Sequence, residues 1–143
     1  EWGCKYSDTI DKIMSAELSV IQDDYDRAIH GEYAGSVLAR GWHEVDKFWI
    51  GLRSSFPAAK FSIEHQIGRQ DENMPPRAAL RWILEGKHDG WGVFGKPTGA
   101  DVYIMGMAHV EYGALVTGIP KIRKEYVLYD EVAIWKQILL KTG

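Results

Sequence analysis

Five histidines and one carboxylate at a strand end are the groups in this chain best suited to moving protons. His88 stands in the glycine-rich connector Gly86–Gly99, GKHDGWGVFGKPTG. An imidazole has a reference pKa of about 6.5 and exchanges its proton near neutral pH. In phase with Trp82 and Leu84, His88 would face the mouth of a pocket, although a turn histidine bonded to a loop carbonyl fits the same position. Asp130 ends a strand and opens a helix. Desolvation would make it a base, whereas its position equally suits a helix cap. His65 falls on the apolar side of an alternating strand, as a buried, satisfied histidine or as a polar contact to a ligand. His109 follows Ala108 and should point to the opposite face, unless a bulge near Gly106 reverses it. Trp82, Trp91 and Tyr126 are candidates for pocket walls, with plain core packing as the alternative.

Other chemistries are excluded by spacing. His30 and His43 complete the histidines, and none forms an H-E-x-x-H pattern. The single cysteine, Cys4, rules out an internal disulfide or a cysteine-rich metal site and suggests a reducing, cytoplasmic setting. GWGVFG has neither the G-x-G-x-x-G spacing nor a P-loop ending, and no G-x-S-x-G elbow occurs. A net charge of -3 without a basic block argues against nucleic acid. No apolar run approaches the roughly 18 residues of a membrane helix, and no signal peptide is recognisable.

The elements that must position these groups follow from periodicity. A helix is expected from Asp8 to about Asp23, broken near Ala16, with Ile10, Ile13, Met14, Leu18 and Ile21 on one face. Short extended segments follow at Arg27–Tyr33 and Ser36–Ala39. Val45, Phe48, Trp49 and Leu52 recur at helical spacing, and Pro57 closes that helix. In Lys60–Ile67, strict alternation places Phe61, Ile63, His65 and Ile67 together. Ala78–Glu85 and Val102–Tyr112 form a long hairpin around the connector, with Arg81, Glu85 and Glu111 on its solvated side. Both faces of Val102–Tyr112 are apolar, so Met105 and Met107 could pack against a second subunit. In Ile122–Tyr129 the same reading groups Ile122, Tyr126 and Leu128, with Asp130 in phase. Val132, Trp135, Ile138 and Leu139 form a last helix. Without alternating strand–helix units, the 143 residues read as one α+β domain with a mainly antiparallel sheet.

Three features occur in a telling order: the turn Gly86, His88, Gly90; the turn Pro97, Thr98, Gly99; and a late strand ending in Tyr129–Asp130 before a helix carrying Gln137. Tyr25–Asp26 and Phe56–Pro57 fit the same order. From about Ile13 to Leu140 the chain resembles the SnoaL-like polyketide cyclases of the nuclear transport factor 2-like superfamily. The resemblance implies a cone, in which a strongly curved sheet wrapped by helices encloses an apolar pocket. It implies a homodimer, a hydrophobic carbonyl-type ligand, and acid/base chemistry without metal or cofactor. Non-catalytic binders share the fold. The resemblance expects an acid/base aspartate where Ala108 stands, so that role would pass to His88, Asp130, His65 or His109, or the chemistry would be absent. The short opening helix fits a trimmed chain or one half of a tandem protein.

Overall fold

The computed structural model describes residues 1–17, 19–113 and 118–142. Helix α1 spans Trp2–Met14 and α2 spans Val20–Asp24. The break between them passes through Ala16, whose φ of 63° ends the helical run. α1 begins six residues ahead of the expected Asp8 and thereby adds Tyr6 to the buried stripe of Ile10 and Ile13. Leu18, expected on that stripe, lies outside the described residues.

Six strands follow: β1 (Tyr25–Tyr33), β2 (Val37–Arg40), β3 (Lys60–Arg69), β4 (Arg77–Lys87), β5 (Asp101–Tyr112) and β6 (Ile122–Tyr129). Helix α3 (Gly41–Ser55) separates β2 from β3, and α4 (Glu131–Thr142) follows β6. The strands form one curved, open sheet in the order β2-β1-β6-β5-β4-β3. Every neighbouring pair is antiparallel except β1 with β6. The fold is therefore α+β with a mainly antiparallel sheet, as the periodicity predicts.

α3 buries Val45, Phe48, Trp49 and Leu52 against the inner side of the sheet, and α1 packs on the same side against β3 and β4. Apolar residues spaced at 3.6 meet alternating ones spaced at two, which is how a helix and a strand share one core. β5 extends beyond β6, whose pairing stops at Gly106. There the Gln137 side chain of α4 bonds both the N–H and the carbonyl of Tyr103, at 2.8 and 3.1 Å, in place of a strand.

Register shifts in the β3–β4 and β5–β6 ladders redirect side chains. In β3 the register shifts between Ile63 and His65. Phe61 and Ile63 oppose the inward Leu84 and Trp82, whereas His65 and Ile67 oppose Arg81 and Ala79 on the outer face. His65 is exposed, contrary to the in-phase expectation. In the β5–β6 ladder the register shifts between Glu111 and Tyr112. Ile122, Glu125 and Val127 are buried, while Leu128 is exposed and Tyr126 half-buried. The expected grouping of Ile122 with Tyr126 and Leu128 does not occur, because an extra residue turns everything beyond it to the opposite face.

Candidate functional site: a carboxyl group caged by three phenols

Glu125 is fully buried on the inner face of β6. Its Oε2 accepts hydrogen bonds from Tyr6 at 2.7 Å and Tyr25 at 2.6 Å. Its Oε1 accepts from Tyr33 at 2.8 Å and from the Trp49 indole at 3.3 Å. The donors come from α1, β1 and α3, so four elements meet at one carboxyl group. Two carboxylate oxygens offer about four acceptor positions, and all four are taken.

Burial raises the Glu125 pKa from its ordinary 4.5, against the opposing pull of the donors, of which Tyr25 and Tyr6 act most strongly. The phenols of Tyr6 and Tyr25 are pushed well above 10, first by burial and then by the charge of Glu125. Tyr33 moves the same way for the same reasons. The phenols thus remain donors throughout the range in which Glu125 changes charge. Such a group can hold a proton, release it into a dry interior, and stabilise a neighbouring oxyanion with phenolic donors.

Ala108 is also inward and buried. It pairs with Val127, while Glu125 pairs with Val110. Positions 108 and 125 are thus diagonal neighbours on adjacent inner strands, at a separation of about 7 Å. A buried carboxyl group thus lies one strand away from the position at which the resemblance expects an aspartate.

The histidines and Asp130 do not join this group. His88 is fully buried beside Phe56, with ring centroids 5.7 Å apart. Its Nδ1 lies 2.9 Å from the Thr98 hydroxyl, and its carbonyl accepts from the N–H groups of Thr98 and Gly99. His88 organises the connector and does not face a pocket mouth; its Nε2 has no partner among the described residues. Asp130 is exposed and accepts the Ala133 N–H at 3.0 Å, as a helix cap does. His109 is half-buried on the outer face against Tyr126, 5.9 Å between centroids. It lines a shallow outer hollow of about 270 Å³ with Ile67 and Ala79. Trp91 is 69% exposed. Trp82 is inward, packed with Phe61 and Tyr129, and its indole N–H is buried without a partner among the described residues.

The connector itself is clamped to the end of α3. The N–H of Gly90 bonds the Ser55 carbonyl and that of Val93 the Gly51 carbonyl. A β-carbon on Gly90 would collide with the Ser54 carbonyl oxygen. A cleft of about 810 Å³ lies elsewhere, between the 70–76 loop and the outer ends of β1, β5 and β6. Among the described residues no cluster of three potential metal ligands forms, and no helix is long and apolar enough to cross a membrane.

Sequence reasoning missed Glu125 because the bulge sets it, with Val127, out of phase with Ile122 at the start of β6. The available signal was the chain's seven tyrosines, whose hydroxyls require acceptors once buried.

No family model matches the chain, and no curated protein matches it by sequence. Solved structures do match. A candidate SnoaL-like polyketide cyclase from Jannaschia sp. CCS1 superposes with a TM-score of 0.71 at 13% identity, covering 92% of this chain and 90% of the other. IdmH, a candidate polyketide cyclase from Streptomyces antibioticus, gives 0.69 at 16% identity, covering 92% and 96%. A SnoaL-like polyketide cyclase from Agrobacterium tumefaciens gives 0.64 at 19% identity, covering 93% and 94%. With the order of strands and helices described above, these similarities identify the fold of this chain as SnoaL-like, within the nuclear transport factor 2-like class.

Proposed function

We propose that the protein binds a hydrophobic carbonyl-type small molecule at the inner face of the cone and moves a proton on it. Glu125 is the proton-transfer group. The observation that carries this reading is a fully buried carboxyl group with three phenolic donors, diagonal to Ala108. Glu125 as carboxylate takes a proton from the carbon next to the carbonyl, leaving an enolate and a carboxylic acid. A tyrosine hydroxyl donates to the enolate oxygen, and the proton returns from Glu125 at the same or another carbon; in the ring-closing case the enolate carbon instead attacks a second carbonyl of the same molecule, whose oxygen takes the proton from Glu125. Ketosteroid isomerase, where an apolar site tunes carboxyl groups into bases or neutral donors, follows the same physics. The setting proposed is cytoplasmic, where exposed Cys4 stays a thiol.

Two measurements test this. Mass spectrometry of the natively purified protein should reveal a retained hydrophobic carbonyl compound. In D₂O, the protein should accelerate deuterium uptake next to the carbonyl of a bicyclic aryl ketone, and Glu125→Gln should abolish that acceleration. Absence of both a ligand and any difference between wild type and variant refutes the reading.

A second reading is a non-catalytic pairing module. It is favoured by the saturated acceptors of Glu125 and by the outer sheet face, where Met105, Met107, Leu128 and Ile67 are 56%, 60%, 67% and 57% exposed. A homodimer through this face would cover them.

A further inference from the structure

Resting on the reading of Glu125 as the proton-transfer group, we propose that Tyr33 is a displaceable plug. Its phenol occupies the ligand's place on Glu125, and a ligand enters by driving it out. With both oxygens of Glu125 saturated, the carboxylate has no lone pair free for a substrate in this conformation. One donor must leave first, and the structure distinguishes the four. Tyr6 and Tyr25 are fully buried, and both serve Oε2. Trp49 is a rigid bicycle in the α3 stripe, 1% exposed. Tyr33 is the most exposed of the four, at 4%. It ends β1 and precedes a turn in which Gly35 and Ser36 have φ of 80° and 61°.

The space beneath Tyr33 is shaped for such an exchange. Gly31 pairs with Glu125, and Tyr33 pairs with Val127. The Tyr33 ring therefore leans back over Gly31 to reach the carboxyl group. A β-carbon at position 31 would lie 2.6 Å from the ring. On its other side the ring lies parallel to Phe48, 3.9 Å between centroids at 7°. Phe48 is in turn 6.5 Å from half-buried Tyr129. Withdrawal of Tyr33 leaves a flat slot floored by Gly31, walled by Phe48 and ended by Oε1. The slot fits a planar, unsaturated molecule that presents a hydroxyl or enol to the carboxylate, as the phenol now does.

The probes are phenol and anisole, which share a ring but differ in the donor. Tyr33→Ala opens the slot, and calorimetry should show it binding phenol at least about tenfold more tightly than wild type, the penalty for a site that is mostly plugged. It should prefer phenol to anisole by about tenfold, the worth of one hydrogen bond to a charged acceptor. Equal binding of phenol by wild type and variant, or equal binding of the two probes, overturns the proposal. A second measurement uses the intact side chain, in case Tyr33→Ala does not fold. Protein labelled with 3-fluorotyrosine is titrated with phenol, and the ¹⁹F signal missing from Tyr33→Phe identifies residue 33. That signal should move to the solvent-exposed position at saturation; an unmoved signal overturns the plug. A retained native ligand with an unmoved signal leaves the function standing and removes only the plug. A moved signal without ketone exchange removes the catalytic function and leaves the plug.

Discussion

Glu125 concentrates the consequences that a single residue can have here. Glu125→Gln keeps the volume but replaces one acceptor oxygen with a donor facing donors. It should destabilise the fold by about 2–3 kcal/mol, read as a lower urea midpoint at unchanged slope. Glu125→Leu leaves three hydroxyls and an indole without an acceptor and should be worse. The pH dependence has a definite sign. The folded pKa of Glu125 lies above its unfolded value of 4.5, so the native state binds more protons in the interval between them. The associated stability is fully present below 4.5 and is lost as pH rises through the folded value. Urea midpoints should therefore decline upward from pH 4.5 in wild type and less so in Glu125→Gln. Half-buried Asp71 and exposed Asp101 act in the opposite direction. Side-chain bonds to Arg69 and Lys87 hold them below 3.8, so their contribution fades only as pH falls below that value, in a separate window.

At the scale of elements, the connector is a fixed strap. Gly90→Ala forces a β-carbon into the Ser54 carbonyl and should cost about 2–4 kcal/mol, measurable as a lower melting temperature. His88→Ala removes the side-chain bond to Thr98 and the buried ring packed on Phe56, leaving a cavity. It should cost about 2–4 kcal/mol and speed hydrogen exchange at the Thr98 and Gly99 amides. The elements also show what the sequence could reveal. The helical stripe of α3 and the limits of β6 are direct outcomes of apolar spacing and were legible. Which way Glu125 and His65 point was not, because each lies beyond a bulge and alternation carries no mark of an inserted residue. Asp130 was legible as a cap, since an aspartate before a helix has one local use regardless of the tertiary setting. Tyr6 was lost with the early start of α1, whose first turn carries no acidic residue and no side-chain cap to announce it.

For the whole molecule, the sheet has two faces with different tasks. The inner face holds the core and the caged carboxyl group. The outer face carries a row in which Arg81, Met107 and Leu128 are side by side. If copies pair through this row, Met107→Glu should convert a dimer to a monomer in sedimentation velocity while leaving far-UV circular dichroism unchanged. A wild-type protein that sediments as a monomer at micromolar concentration argues against pairing. The cone is also joined by pairings of long sequence separation. β1 meets β6 in parallel, and the hydrogen bonds from Tyr6 and Tyr25 to Glu125 bridge 119 and 100 positions.

That parallel pairing has a consequence for the order of assembly. A chain made from its N-terminus has its three tyrosines ready long before their shared acceptor exists, and each must wait for the strand Ile122–Tyr129. Contacts so distant in sequence form late in folding. Glu125→Gln should therefore leave the refolding rate nearly unchanged and speed unfolding, which stopped-flow kinetics would read as a φ-value near zero. The carboxyl group at the centre of the cone is then the latch that closes last and, by its hold on the first helix, keeps the finished molecule shut.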